Sequence, residues 1–143
     1  VVIVGAGFGG LAAAIQMRRL GIDDLLIVDR DTAVGGTWHA NTYPGVAVDI
    51  ASVTYSFSFE PNPDWSRLYA PGEELQRYAE HVVDRYDLRR HLRFRTEVTA
   101  ADWDEVHQRW TLSFAENSPI TARIVVIASG ILSQPKDPDI PGL

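Results

Sequence analysis

A chain of 143 residues, 45% hydrophobic and 22% charged, has the make-up of one ordinary globular domain or a large piece of one. Its net charge of −6 argues against nucleic acid or an anionic membrane as a partner. The absence of cysteine excludes disulfides, thiolate nucleophiles and Cys-based metal sites, and fits a cytoplasmic setting.

No apolar run approaches the ~18 residues of a membrane span, and no signal peptide shows. The chain opens inside an apolar run, Val1-Val2-Ile3-Val4, and ends as abruptly at Ile140-Pro141-Gly142-Leu143. It is therefore expected to be a fragment of a longer protein.

Val1 to Val4 reads as a short parallel strand, apolar on both faces and β-branched. A glycine-rich turn follows from Gly5 to Gly10. Leu11 to Leu20 is a helix of good formers, with Gly21 as its stop. Leu25 to Asp29 is a second buried strand, so the first 30 residues make a βαβ unit. Residues 30–71 hold turn formers and aromatics with little periodicity, and a loop of that length in a compact domain is usually functional.

Leu75, Tyr78, Ala79, Val82, Val83 and Tyr86 then form one helical stripe, with Glu73 and Glu74 in the first turn. His91 to Val98 reads as a strand. Trp110, Leu112 and Phe114 alternate with polar residues along another, with Trp103 on its antiparallel partner and a turn near Glu105 to Gln108. Ile124 to Ala128 is a further buried strand ending at Ser129-Gly130. The tail, with Pro135, Pro138 and Pro141, reads as an extended linker. The fold class is α/β: a Rossmann-like parallel sheet with a βαβ unit, plus a small antiparallel β-meander.

A bare GxGxxG is a weak signal, but here its context is complete. Gly5, Gly7 and Gly10 follow a buried strand and open a helix. The first permits a tight turn, the second lets a pyrophosphate approach the backbone, and the third lets helix and strand pack closely. Ala14 keeps the same helix face small. Asp29 ends the second strand, 19 residues after Gly10, where a carboxylate can accept from both hydroxyls of an adenosine ribose. The helix N-terminus offers free N–H groups and roughly +0.5 charge to phosphates. Asp29 also disfavours a 2′-phosphate at this site, an effect that Arg30 beside it softens.

The spacing alone leaves FAD and NAD both open, since each contains ADP. The run Gly35-Gly36-Thr37-Trp38, then Asn41, Tyr43-Pro44-Gly45, Asp49, Ser52, Tyr55 and Ser56-Phe57, closely resembles the N-terminal FAD domain of Baeyer–Villiger monooxygenases. These are class B flavoprotein monooxygenases of the two-dinucleotide-binding-domain type. The likeness continues through residues 81–88 to Ala128-Ser129-Gly130 and covers essentially the whole chain. His39, Thr42 and Val48 depart from the aromatic, Arg and Cys that the family commonly carries there.

The resemblance implies an FAD- and NADPH-dependent enzyme that inserts one oxygen from O₂, through a C4a-peroxyflavin, into a ketone to give an ester or lactone. N- or S-oxidising relatives and a non-catalytic FAD-binding module are the alternatives. It implies a cofactor site of Gly5, Gly7, Phe8, Gly9, Gly10, Asp29, Arg30, Gly36, Thr37, Trp38, Tyr43, Asp49, Tyr55, Val98, Ala128, Ser129 and Gly130. Asp49 is the expected catalytic carboxylate beside the flavin ring, the alternative being a turn carboxylate that caps a backbone N–H. Residues 1–143 would be the N-terminal part of an FAD domain, with the NADPH site and the domain's C-terminal part outside the chain. No His pair has metal-ligand spacing, so no metal is expected. Arg89, Arg90, Arg93 and Arg95 read as a solvated face.

Overall fold

A computed structural model describes residues 1–132 and 138–142. Its centre is a four-stranded sheet in the order β3-β2-β1-β7, parallel throughout, made of β1 (Val2–Val4), β2 (Leu26–Val28), β3 (Leu92–Arg93) and β7 (Val125–Ile127). Ile3 stands opposite both Ile27 and Val126, in register.

Strand alternation sends the side chains to two different cores. Ile3 and Ile27 pack under helix α1 (Phe8–Arg19) and helix α3 (Gly72–Arg85), against Leu11, Ala14, Ile15, Ala79, Val82 and Val83. Val2 and Val28 face the other way, onto Leu112, Phe114 and Ala122 of an antiparallel sheet. That sheet is β4 (Val98–Asp104), β5 (Arg109–Phe114) and β6 (Ile120–Ala122), in that order. The parallel sheet is thus covered on both faces, which is why β1 is apolar without alternation.

The meander matches expectation where Trp103 stands opposite Trp110, and it adds β6, a third strand that its three residues did not announce. The stripe from Leu75 to Val83 is buried on α3, with Glu73 and Glu74 in its first turn.

Three expectations need correction. Helix α1 begins at Phe8 rather than Leu11 because the Leu11 N–H closes the first turn onto the Gly7 carbonyl at 3.0 Å. The strand expected from His91 to Val98 is split. Only Leu92–Arg93 joins the sheet; Arg95 then turns with φ of 51°, and the N–H groups of Arg95 and Thr96 bond to the carbonyls of Asp31 and Asp29. β7 is not fully buried: among the described residues it lies at the edge of the sheet, paired only with β1, and Ile127 is 67% exposed.

Within residues 30–71 the structure places a one-turn helix, α2 (Thr37–Ala40), and a 3₁₀ turn at Ser52–Thr54. Pro135 lies outside the described residues, while Pro138 and Pro141 sit in exposed irregular chain. No described helix is long and apolar enough to cross a membrane.

Candidate dinucleotide-binding site

A cleft of about 970 Å³ opens at the C-terminal ends of β1 and β2 and the start of α1. This is where open α/β sheets bind ligands, and the volume is at the upper end of the roughly 300–1,000 Å³ of small-molecule sites.

The glycines divide by what they do. Gly5 has φ of +110°, and a Cβ there would stand 2.4 Å from the Ala128 carbonyl oxygen. A Cβ on Gly10 would stand 1.8 Å from the Gly5 carbonyl oxygen. Both glycines are required by the protein's own packing. Gly7 is different: its added Cβ would meet nothing closer than the Gly36 Cα at 3.5 Å, an ordinary contact. The chain itself has room for a side chain at Gly7, on the wall of the cleft, so what glycine leaves clear there is space for a ligand. Helix α1 opens at this point with no side-chain cap, leaving its first-turn N–H groups for an anion.

Asp29 borders one end of the cleft, half-buried. Its Oδ2 accepts the Ala6 N–H at 2.6 Å and its Oδ1 the Asp31 N–H at 2.9 Å. Two backbone donors fix the carboxylate's orientation and leave further lone pairs on both oxygens for hydroxyl donors. Arg30 and Val98 border the same end, where the Thr96 N–H to Asp29 carbonyl bond of 2.8 Å carries the chain back to the sheet.

Beyond the glycine turn the cleft is aromatic. Trp38 Nε1 donates to the Tyr55 hydroxyl at 3.0 Å with the rings edge-on at 5.4 Å, and Tyr55 stands edge-on to Phe8 at 5.5 Å. Thr37, Trp38 and Tyr55 line this part, Gly36 lies against the glycine turn with its Cα 3.5 Å from where a Gly7 Cβ would stand, and Gly9, Ala128, Ser129 and Gly130 complete the lining.

Most of the expected cofactor residues are therefore brought together, with three outside the lining. Gly10 is buried beneath the turn, as its packing role requires. Tyr43 is 62% exposed, and Asp49 is exposed on the neighbouring loop. Conversely, Asp31, Thr96 and Glu97 border the cleft but were not singled out from sequence, and Gly35 and Asn41, part of the family-like run, border it without having been expected in the cofactor site. Asn41 follows α2, but Thr96 and Glu97 arrive only because the chain reverses at Arg95, a turn without a glycine to announce it.

Among the described residues no group of three His, Cys, Asp or Glu side chains could hold a metal. His39 bonds to Thr32, His107 to Asp104, and buried His91 to the Leu25 carbonyl. Of the arginine cluster, Arg89 pairs with Glu80 and Asp84 and Arg90 with Asp87, while Arg93 and Arg95 are exposed.

A parallel sheet whose first crossover carries a packed glycine turn, an uncapped helix start and a terminal acid defines a dinucleotide-binding domain. The family described as pyridine nucleotide-disulphide oxidoreductase matches residues 1–143, and the chain belongs to it. Within that family the chain is 50% identical to a Baeyer–Villiger monooxygenase of Streptomyces coelicolor, over all of this chain and 27% of that protein. Among solved structures, oxidized steroid monooxygenase bound to NADP superposes with a TM-score of 0.90 at 42% identity, over 96% of this chain and 27% of that one. OTEMO in complex with FAD and NADP gives 0.90 at 34% identity, over 99% and 27%. The chain thus spans about a quarter of the length of the proteins it matches.

Proposed function

We propose that this chain is the FAD-binding part of an NADPH-dependent monooxygenase that carries out Baeyer–Villiger oxidation of a small ketone with O₂. The observation that carries this reading is the single cleft joining an acid-ended βαβ unit to an aromatic pocket at Trp38 and Tyr55. A dinucleotide with a large second ring system needs both ends. Relatives named Baeyer–Villiger monooxygenase and FAD-binding monooxygenase support it.

Each part of the site has a task. Asp29 accepts from the ribose hydroxyls. The start of α1 faces the pyrophosphate, with Gly7 giving clearance. Trp38, Tyr55 and Phe8 flank the remainder. FAD, when bound, supplies the hydride acceptance and oxygen activation that no side chain offers; the protein orients it and keeps water away. Asp49, exposed on a loop held by the Val48 N–H to Ala70 carbonyl bond, serves the oxygen chemistry rather than the grip on the cofactor. The NADPH site belongs outside residues 1–143, because the one GxGxxG here is given to FAD. The net charge favours a small-molecule partner over nucleic acid, and the lack of cysteine favours the cytoplasm.

The test contrasts the two carboxylates in full-length protein. Asp29→Ala loses charged acceptors worth about 1.5–3 kcal/mol each, so FAD affinity should fall at least tenfold. Asp49→Ala should keep its flavin but yield less oxygenated product per NADPH. Heat-released cofactor lacking a flavin spectrum, or an Asp29 variant with unchanged FAD affinity, would overturn the reading.

A further inference from the structure

On sequence Tyr78 is one of the apolar positions of α3, and a phenylalanine would fill the same stripe. Its hydroxyl does what phenylalanine cannot. It accepts the Phe57 N–H at 2.8 Å and donates to the Glu60 carbonyl at 2.6 Å. Those two residues are the ends of one turn, closed by the Glu60 N–H on the Phe57 carbonyl at 3.0 Å. Tyr78 is 4% exposed, and burial pushes its phenol above the ordinary 10.0, so the proton needed for donation stays in place.

The rings continue the connection. Tyr78 and Phe57 both pack on Phe8, at 5.8 and 5.4 Å, and Phe8 carries Tyr55. Phe8 and Tyr55 line the aromatic end of the cleft. At the other end the Asp29 carboxylate is held by bonds of its own, from the Ala6 and Asp31 N–H groups.

We propose that Tyr78 is a positioning residue for the flavin half of the cleft, setting Phe8 and Tyr55 through the turn at residues 57–60. The proposal rests on the FAD reading above. Tyr86 is a second, weaker tether: its hydroxyl stands 3.2 Å from the Phe59 carbonyl and 3.0 Å from Glu60 Oε2, at a less buried position.

The experiment measures FAD and ADP affinity in parallel on full-length protein, with the absorption bands of bound flavin. Tyr78→Phe keeps the ring and leaves the Phe57 N–H unmatched. It should weaken FAD roughly tenfold, leave ADP within about twofold and shift the flavin bands, since the variant disturbs the Phe8 and Tyr55 rings and leaves the Asp29 bonds and the glycine-packed backbone of the turn in place. Parallel losses for FAD and ADP, or no change in either, would show a general structural role and overturn the proposal. If Tyr78→Phe does not fold, Tyr86→Phe carries the test: it should move FAD and not ADP, in the same direction and by less, and parallel changes would again overturn it. A wild type that binds ADP but not FAD would sink the cofactor reading itself, a different result from either.

Discussion

The glycine-rich turn and the loop of residues 43–71 both reach the cleft, but backbone shape holds the first and side-chain bonds hold the second. In the turn, Gly5 and Gly10 fit because a Cβ would collide with carbonyl oxygens. In the loop, buried Ser52 donates its hydroxyl to the Leu68 carbonyl at 2.9 Å and accepts the Ala70 N–H at 2.7 Å. Tyr78 does the same service for residues 57 and 60 from a helix far along the chain. The difference teaches that a short-range motif can specify a turn by exclusion. A long loop needs partners recruited from elsewhere.

The sharpest way to break this comparison is within the motif. Gly10→Ala forces a Cβ against the Gly5 carbonyl and should cost about 3 kcal/mol or more, as severe overpacking does. Thermal unfolding would show it as a large fall in Tm. Gly7→Ala, with only a 3.5 Å neighbour, should change stability by less than about 1 kcal/mol yet weaken FAD binding tenfold or more. If both variants lose stability equally, Gly7 is a packing glycine and the cleft argument fails.

In the loop, Ser52→Ala leaves the Ala70 N–H buried without its acceptor, at a cost of about 1–3 kcal/mol. Urea unfolding reads the total, and faster hydrogen exchange at Ala70 would locate it. An unchanged midpoint would mean that the loop is not held by this hydroxyl.

The smallest expected effect is at the loop's outer edge. Glu74 accepts from both the hydroxyl and the N–H of Ser66, which lowers its pKa below the ordinary 4.5. A lowered folded-state value means that its contribution is whole above about pH 4.5 and is lost as pH falls through the lowered value. Glu74→Gln should therefore flatten the acid limb of the stability profile. The pair is exposed and screened, so the change should stay within about 0.5 kcal/mol. A stability loss at neutral pH much larger than that would assign Glu74 a deeper role.

The sequence by itself determined the βαβ unit, its glycine turn, the acid at Asp29 and the stripe of α3, because each rests on a period or a contact within 30 residues. The likeness carried by Gly36, Thr37 and Trp38 pointed to three residues that the fold brings to the same cleft. Only the tertiary structure decided that the Leu92–Arg93 strand ends where Arg95 turns, bringing Thr96 and Glu97 to the cleft. It alone set Asp49 outside the lining and assigned the hydroxyls of Ser52 and Tyr78 to carbonyls and N–H groups 16 to 21 residues away along a folded path. The physical reason is range. Periodicity and backbone exclusion act between near neighbours and are written locally, whereas a hydroxyl's partner is chosen by whatever backbone group the finished packing leaves unpaired beside it.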